Sequence, residues 1–345
     1  MRKSTKRPPT QHDLALAAGV SQITVSRTFS GHPSVRTEVR ERVMREAARL
    51  GYRLNRSANI MRSGRHRAVG LLASDNQSTS STPIGFIWAL EDACYTRGLQ
   101  LMIGRYPEKV INDPVRLPQF LKNWMVDGVL IYHTHNIPQG LPVIFEQMNL
   151  PFVWVNSNHP EGIKSADEEA SSFLVSHLAA LGHKRIAYMD HTHEHETSAP
   201  HYSTAARKSG YVNGMKKAHL DPFEVTIPSH SNLPLHMRVE EWVEKQKVLP
   251  TAFVTPSRWL AMAVVLAMKA KGLETPNDYS ITTIDQSGFN NLGLNITIQR
   301  IPNAGMANTA IDRLETLIDG DEPSMPENVP FEFDSGKSCA FPPRN

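Results

Sequence analysis

The chain has 345 residues, 40% apolar and 21% charged, with a formal net charge of +3, a length beyond what one hydrophobic core usually holds, so two or three folding units are expected. No apolar run approaches the roughly 18 residues of a membrane span. The basic start "MRKSTKRPPT" also lacks the apolar stretch of a secretory signal, so the expected setting is the cytoplasm, with no membrane partner.

The net charge hides an asymmetry. Residues 1–68 hold fifteen Lys or Arg against four acids, a net of +11, whereas the rest hold 22 basic against 30 acidic residues, a net of −8. A basic head on an acidic body points to a polyanionic partner at one end only.

In chain order, Thr10 followed by Asp13 marks a helix start: the hydroxyl can cap the first amides, and the carboxylate sits where the helix dipole favours it. This helix carries Leu14, Ala17 and Ala18 on one face and stops at Gly19, which permits a left-handed turn. Ser21 caps a second helix that turns Val20, Val25 and Phe29 toward a core. A third helix, capped at Thr37, carries Val39, Val43, Ala47 and Leu50 at helical spacing, with arginines on its other face. The short turn and small residues between the first two helices suit a helix-turn-helix. The exposed N-terminal part of the second helix presents Gln22, Ile23 and Arg27. These are groove chemistries: an amide for adenine, an aliphatic group for the thymine methyl, a guanidinium for guanine. The hydroxyls of Thr10, Ser21, Thr24 and Ser26 are expected at phosphates, where contacts fix register without reading sequence. The competing reading is an ordinary three-helix domain with a solvated basic face.

The strings "AGVSQITVSR", "VRTEVRERV" and "LGYRLNRSA", with "GR" at 64–65 before an apolar strand, resemble in order and spacing the LacI/GalR family of transcription regulators, from Thr10 to about Leu72. The resemblance implies that Gln22, Ile23 and Arg27 occupy the base-reading positions of a recognition helix. It also implies that "NRSANIMRSG" (55–64), polar and too short to be stable as an isolated helix, is a hinge helix. Such a helix forms on operator DNA and enters the minor groove beside its dimer mate. Asn55, Arg56 and Ala58 match the pattern. Met61 stands where the family usually has a leucine wedge; it is still apolar and able to part base pairs, but more flexible. A plain tether is the alternative for this stretch.

From Ala68 onward, short apolar runs ("AVGLLAS", "LQLMIG", "DGVLIY", "PFVWVN", "KRIAYMD", "TAFVT", "YSITTID") alternate with amphipathic segments such as "FIWALEDACYTRG" and "EEASSFLVSHLAALGH". Such alternation predicts parallel sheets covered by helices, here in two subdomains, with a ligand cleft beyond the carboxyl ends of the strands. The body resembles the periplasmic-binding-protein-like core of the same family. That resemblance places Arg207, in "ARKSGYVNGM", and Asp285, ending "SITTID", at effector positions. Where the family usually has Asp or Asn opening the helix after "TAFVT", this chain has Arg258. Arg207 and Arg258 together suit a carboxylate or phosphate, since guanidinium favours bidentate oxyanion contacts. The alternative is that Arg258 pairs with Asp285 or another acid and the cleft takes a neutral sugar or nothing. Trp88 and Trp259 are either sugar-stacking or core residues, and the polar loop "DNQSTSST" (75–82) lies where a ligand would sit.

Other signals carry less. Cys94 and Cys339, far apart, are expected as free thiols. The string "HTHEHE" (191–196) lacks the helical spacing of HExxH and any cysteine partner, so it reads as a solvated loop. "SGKSC" lacks the first glycine of a phosphate loop, and no nucleophile elbow or carboxylate pair at a recognisable spacing is present. No cofactor, metal or catalysis is implied. No leucine-heptad tail follows the core, which favours a dimer over a tail-assembled tetramer.

The expected fold is α/β: an all-α helix-turn-helix domain (1–54), a hinge helix and linker (55–67), and a two-subdomain periplasmic-binding-protein-like core with parallel sheets (68–345). Within the core, the first subdomain takes about 68–165 and 297–322, the second about 166–296 and 323–338. The expected function is a homodimeric repressor of carbohydrate or sugar-acid metabolism genes. It would bind double-stranded operator DNA under control of a small-molecule effector: a sugar, sugar acid or sugar phosphate. The competing classes are a solute-binding protein, which the basic head disfavours, and an α/β enzyme with an accessory DNA-binding domain.

Overall fold

The computed structural model describes residues 7–29, 32–53, 64–74, 84–106, 116–132, 140–192, 200–228, 233–286, 293–325 and 328–343. The chain forms two compact units, Met1–His66 and Arg67–Asn345.

The first unit holds α1 (Gln11–Ala18), α2 (Gln22–Phe29) and α3 (Thr37–Leu50). At the start of α1, the Thr10 hydroxyl accepts from the Asp13 amide while the Asp13 carboxylate accepts from the Thr10 amide, a reciprocal cap. Gly19, at φ +62°, turns the chain into α2. A small core joins Leu14, Ala15 and Ala18 of α1 to Val25, Val43 and Ala47, with Val20, Phe29, Val39 and Leu50 packed at its edge. The inward alanine of α1 is therefore Ala15, and Ala17, expected there, is exposed. Thr37 is the first helical residue of α3, and the position before it, Arg36, makes no side-chain cap.

In the second unit, four parallel strands form one sheet: β1 (Ala68–Ser74), β2 (Gln100–Tyr106), β3 (Gly128–Tyr132) and β4 (Phe152–Trp154), in the order β2-β1-β3-β4. Alternate residues face opposite ways. Val69, Leu71, Leu130 and Val153 pack on α4 (Ile84–Thr96), whereas Leu72, Val129, Ile131 and Trp154 pack on α5 (Gln119–Lys122) and α6 (Leu141–Gln147). Both faces of β1 and β3 are covered, which is why they read as continuous apolar runs, whereas the edge strand β2 is largely exposed.

The chain then enters a second sheet through α7 (Asp167–Ala180), β5 (Ile186–His191), α8 (Tyr202–Lys217), β6 (Phe223–Ile227), α9 (Leu235–Lys245), β7 (Ala252–Thr255), α10 (Arg258–Ala270), β8 (Ser280–Asp285) and β9 (Thr297–Arg300). It returns as α11 (Asn303–Asp319) to the first sheet, packing beside α4, and ends with β10 (Glu332–Asp334) on the second. The second sheet has the order β10-β9-β8-β7-β5-β6, parallel except for β10 against β9. Residues 297–300, expected in the first subdomain, therefore belong to the second. Thr297 to Arg300 pair in parallel with Thr282 to Asp285, and the crossing falls after Arg300.

One close approach in this unit positions the cleft. A Cβ on Gly210 of α8 would lie 2.1 Å from the Glu168 carbonyl oxygen of α7, so only glycine lets the two helices meet at this depth. Arg207, one turn earlier on the same face of α8, is thereby brought onto the first residue of α7, Asp167.

Candidate DNA-reading face and effector cleft

The helix-turn-helix presents its second helix outward. Gln22, Ile23 and Arg27 are exposed on α2, with Ile23 65% accessible, while Val25 and Thr28 are buried beneath them. An amide, an aliphatic side chain and a guanidinium exposed together on one short helix form a surface suited to a groove.

The residues expected at phosphates also shape this face. The Ser21 hydroxyl accepts from the Thr24 amide at 3.1 Å and lies 2.9 Å from the Thr24 hydroxyl, capping α2. Thr10 donates to Asp13 at 2.7 Å, and these bonds from Thr10, with Arg7 beside them, lower the Asp13 carboxyl to about 2. Ser26 is half-buried on the same helix. From α1, Gln11 Nε2 donates to the Gln22 carbonyl at 3.0 Å, and Gln22 Nε2 lies 2.9 Å from His12 Nδ1.

Not every arginine of the head is surface charge. Arg40 donates to the carbonyls of Thr28 and His32, each at 3.0 Å, tying α3 to the end of α2. Arg45 and Arg49 pair along their own helix with Glu41 and Glu46. The hinge residues Asn55, Arg56, Ala58 and Met61 lie outside the described residues.

In the core, the carboxyl ends of β7 and β8 bring the three expected effector residues together. Arg207 Nε donates to Asp167 Oδ1 at 2.7 Å, and its Nη1 donates to the Pro256 carbonyl at 2.6 Å, two residues before Arg258. The Asp167 side chain is fully buried and also accepts from the Ser165 hydroxyl at 2.7 Å. Arg258 opens α10, a helix start where a cation is disfavoured by the dipole. Its Nε donates to Asp285 Oδ2 at 2.6 Å, and Asp285 Oδ1 accepts from the Gln286 amide at 2.7 Å. Of the two alternatives open for Arg258, the structure realises the pair with Asp285. Each guanidinium at this point holds its own carboxylate, so the arrangement is charge-balanced rather than a bare cationic clamp.

Sequence reasoning missed Asp167 and the residues that link the two sheets beside it. Asn156 Nδ2 donates to the Tyr132 hydroxyl at 2.8 Å, and Asn156 Oδ1 accepts from the Tyr202 hydroxyl at 3.0 Å. Tyr132 ends β3 in the first sheet and Tyr202 begins α8 beside the second, so this chain of bonds crosses between the subdomains. Burial pushes the Tyr202 phenol up to about 12, which keeps it a donor. The detectable signal was positional: Asp167 opens a run of three acids in the first turn of its helix, whereas Asn156, at a left-handed φ of +53°, is picked out by the structure alone.

Trp88 and Trp259, read as stacking or core, are not core residues. They are 62% and 73% exposed, on α4 and α10. Trp88 lines a groove of about 470 Å³ with Asp92, Asn303 and Asn308, which none of Arg207, Arg258 and Asp285 lines. Cys94 and Cys339 are free thiols. The loop 75–82 and residues 193–196 of the histidine string lie outside the described residues. Among the described residues, no group of three or more His, Cys, Asp or Glu could hold a metal ion, and no helix is long and apolar enough to cross a membrane.

Two family models match the chain. Residues 10–55 match bacterial regulatory proteins of the lacI family, and residues 175–339 match a periplasmic binding protein-like domain. The HTH-type transcriptional regulator GntR of Escherichia coli K12 is 24% identical over 280 residues, 80% of this chain and 81% of that protein. The regulator CelR of Thermobifida fusca is 26% identical over 300 residues, 82% and 83% of the two chains. The Lac repressor dimer bound to operator and the anti-inducer ONPF has a TM-score of 0.67 at 20% identity, covering 97% of this chain and all of that one. A CelR–cellobiose complex has a TM-score of 0.59 at 20% identity, covering 96% and 99%.

Proposed function

The chain belongs to the LacI family of bacterial regulatory proteins and is a DNA-binding transcription regulator, and from that premise we propose that it acts in the cytoplasm as a homodimeric repressor of sugar-metabolism genes, without catalysis of its own. The observation that carries the DNA role is the outward row of Gln22, Ile23 and Arg27 on a helix whose inner face is buried. Two such helices related by a twofold axis would read the two halves of a pseudo-palindromic operator. Thr10, Ser21, Thr24 and Ser26 would hold phosphates at the rim of that face. Asn55, Arg56, Ala58 and Met61 would serve the minor groove.

The dimer is supported by exposed apolar residues on two helices of the second unit: Ile84, Trp88 and Tyr95 along α4, and Trp259 and Leu266 on α10. Large aromatic residues of this kind anchor protein interfaces.

For the effector, the two Arg–Asp pairs favour a neutral, hydroxyl-rich ligand. A sugar hydroxyl both donates and accepts, so it can bridge a carboxylate and a guanidinium without displacing either. Arg207, Arg258 and Asp285 are the residues we assign to it. A ligand that prefers one arrangement of the subdomains would shift DNA affinity, because DNA also prefers one. A thermal-shift panel of neutral sugars, sugar acids and sugar phosphates on the full chain tests the ligand class. A ligand that binds only the native state raises its melting temperature. Stabilisation by neutral sugars is expected; stabilisation by anions alone would overturn the neutral-ligand reading.

A further inference from the structure

The exposed face of α2 is not left to itself: the first turn of α1 reaches its first residue twice. Gln11 Nε2 holds the Gln22 carbonyl at 3.0 Å, and His12 Nδ1 lies 2.9 Å from Gln22 Nε2. An amide nitrogen has only hydrogens to offer, so the ring nitrogen accepts. With one N–H engaged by His12, the Gln22 amide retains one N–H and its Oε1. That is the donor–acceptor combination that pairs with N7 and the exocyclic amine of adenine. The terminal torsion of a glutamine is otherwise broad, and a long polar side chain that must be ordered on binding weakens the complex.

We propose that His12 is a positioning residue for base recognition: it restrains the Gln22 side chain before DNA arrives and so sharpens discrimination at the base pair Gln22 reads. The proposal rests on Gln22 being a base-reading residue. Ordering is needed only when the amide makes its cognate contact. At a mismatched pair the side chain makes no such contact, and the restraint gains nothing. His12 should therefore affect discrimination more than general affinity. A direct phosphate contact would do the opposite, strengthening binding to every sequence alike.

The test uses the full chain and a pool of random double-stranded DNA to find the preferred site. Binding is then measured to that site and to its single-base variants. Gln22→Ala should erase preference at one base pair of each half-site. His12→Ala, which removes the acceptor, should lower discrimination at that same pair by roughly two- to tenfold, with other positions unchanged. His12→Asn, whose Oδ1 occupies the place of Nδ1, should restore it. Adding His12→Ala to Gln22→Ala should change nothing further. If His12→Ala discriminates like the parent, or weakens binding equally at all sites, the positioning role is wrong. If Gln22→Ala leaves every preference intact, the base-reading assignment fails first and takes this proposal with it. His12 is exposed, so neither substitution removes core packing, and His12→Asn reports on the bond if alanine lowers the melting temperature.

Discussion

Replacing Arg207 with methionine separates its structural role from any role in ligand binding. In the structure its guanidinium lies 2.7 Å from a carboxylate whose side chain is fully buried, and it also satisfies the Pro256 carbonyl at 2.6 Å. Methionine fills much of the same volume but leaves Asp167 charged, with only the Ser165 hydroxyl to solvate it. Removing one partner of a buried pair costs about 3–5 kcal/mol, because the other charge is stranded. For a unit of this size each kcal/mol lowers the melting temperature by roughly 2 °C. The expected fall is about 6–10 °C, by that scaling, in the absence of any ligand. The double variant Asp167→Leu/Arg207→Met removes both charges and should recover part of the loss, since the stranded charge is gone. Thermal unfolding of the parent, the single variants Arg207→Met and Asp167→Leu, and the double variant measures this directly. A single variant that melts within a degree of the parent, or a double variant whose loss equals the sum of the two single ones, would refute the account of Arg207 as a structural partner of Asp167.

Arg27→Ala should relax preference at one base pair of each half-site by about 1–3 kcal/mol if its contact is bidentate. Binding to single-base operator variants checks this, and an unchanged preference would remove Arg27 from the reading set. Thr10→Ala should destabilise the head by about 1 kcal/mol through loss of the cap, read from unfolding of the isolated first melting transition or from amide exchange in α1. Burial holds His183, His159 and His177 below the ordinary histidine range, with the backbone bond to Ala340 opposing it only in part at His183. The native state then stays neutral at these rings while the unfolded chain takes up protons as pH falls through about 6.5. Stability that is present at pH 7 should therefore decline toward pH 5. A urea midpoint that is flat over that window would contradict it.

The parallel strands were legible because both faces are buried. "AVGLLAS" is buried at every position, as is "GVLIY" of β3. The strands that escaped are those at or next to the sheet's ends: β6, β9 and β10 have three to five residues, and "EFD" of β10 is largely exposed. In α1 the pattern offered alanines at 15, 17 and 18, and composition could not choose among residues of one type. The observed set, Leu14, Ala15 and Ala18, is fixed by where α3 packs. The helix-turn-helix and its exposed row were readable because caps, the turn glycine and the exposed chemistry all lie within twenty residues. The cleft was readable only through the family resemblance, which left the partner of Arg258 open and did not show that of Arg207, because the partners come from distant parts of the chain. Arg207 meets a carboxylate 40 residues earlier, and Arg258 meets one 27 residues later.

Arg258 shows how such a partner changes the functional reading. A cation at the first position of a helix opposes the dipole and calls for a compensating anion. The sequence leaves open whether that anion is a ligand or a side chain; the structure supplies Asp285, itself held by the Gln286 amide. An anionic effector would have to bind beside this carboxylate or displace it, and both are unfavourable in a partly desolvated cleft. Neutralising the carboxylate should remove that barrier. Asp285→Asn keeps the shape and leaves Arg258, which is about one-third exposed and hence solvated, with its charge uncompensated. In the same thermal-shift panel, this variant should respond more strongly than the parent to sugar acids and no more strongly to neutral sugars. If the parent already favours sugar acids and Asp285→Asn does not strengthen that preference, then Asp285 does not set the ligand's charge, and selectivity must come from residues elsewhere in the cleft.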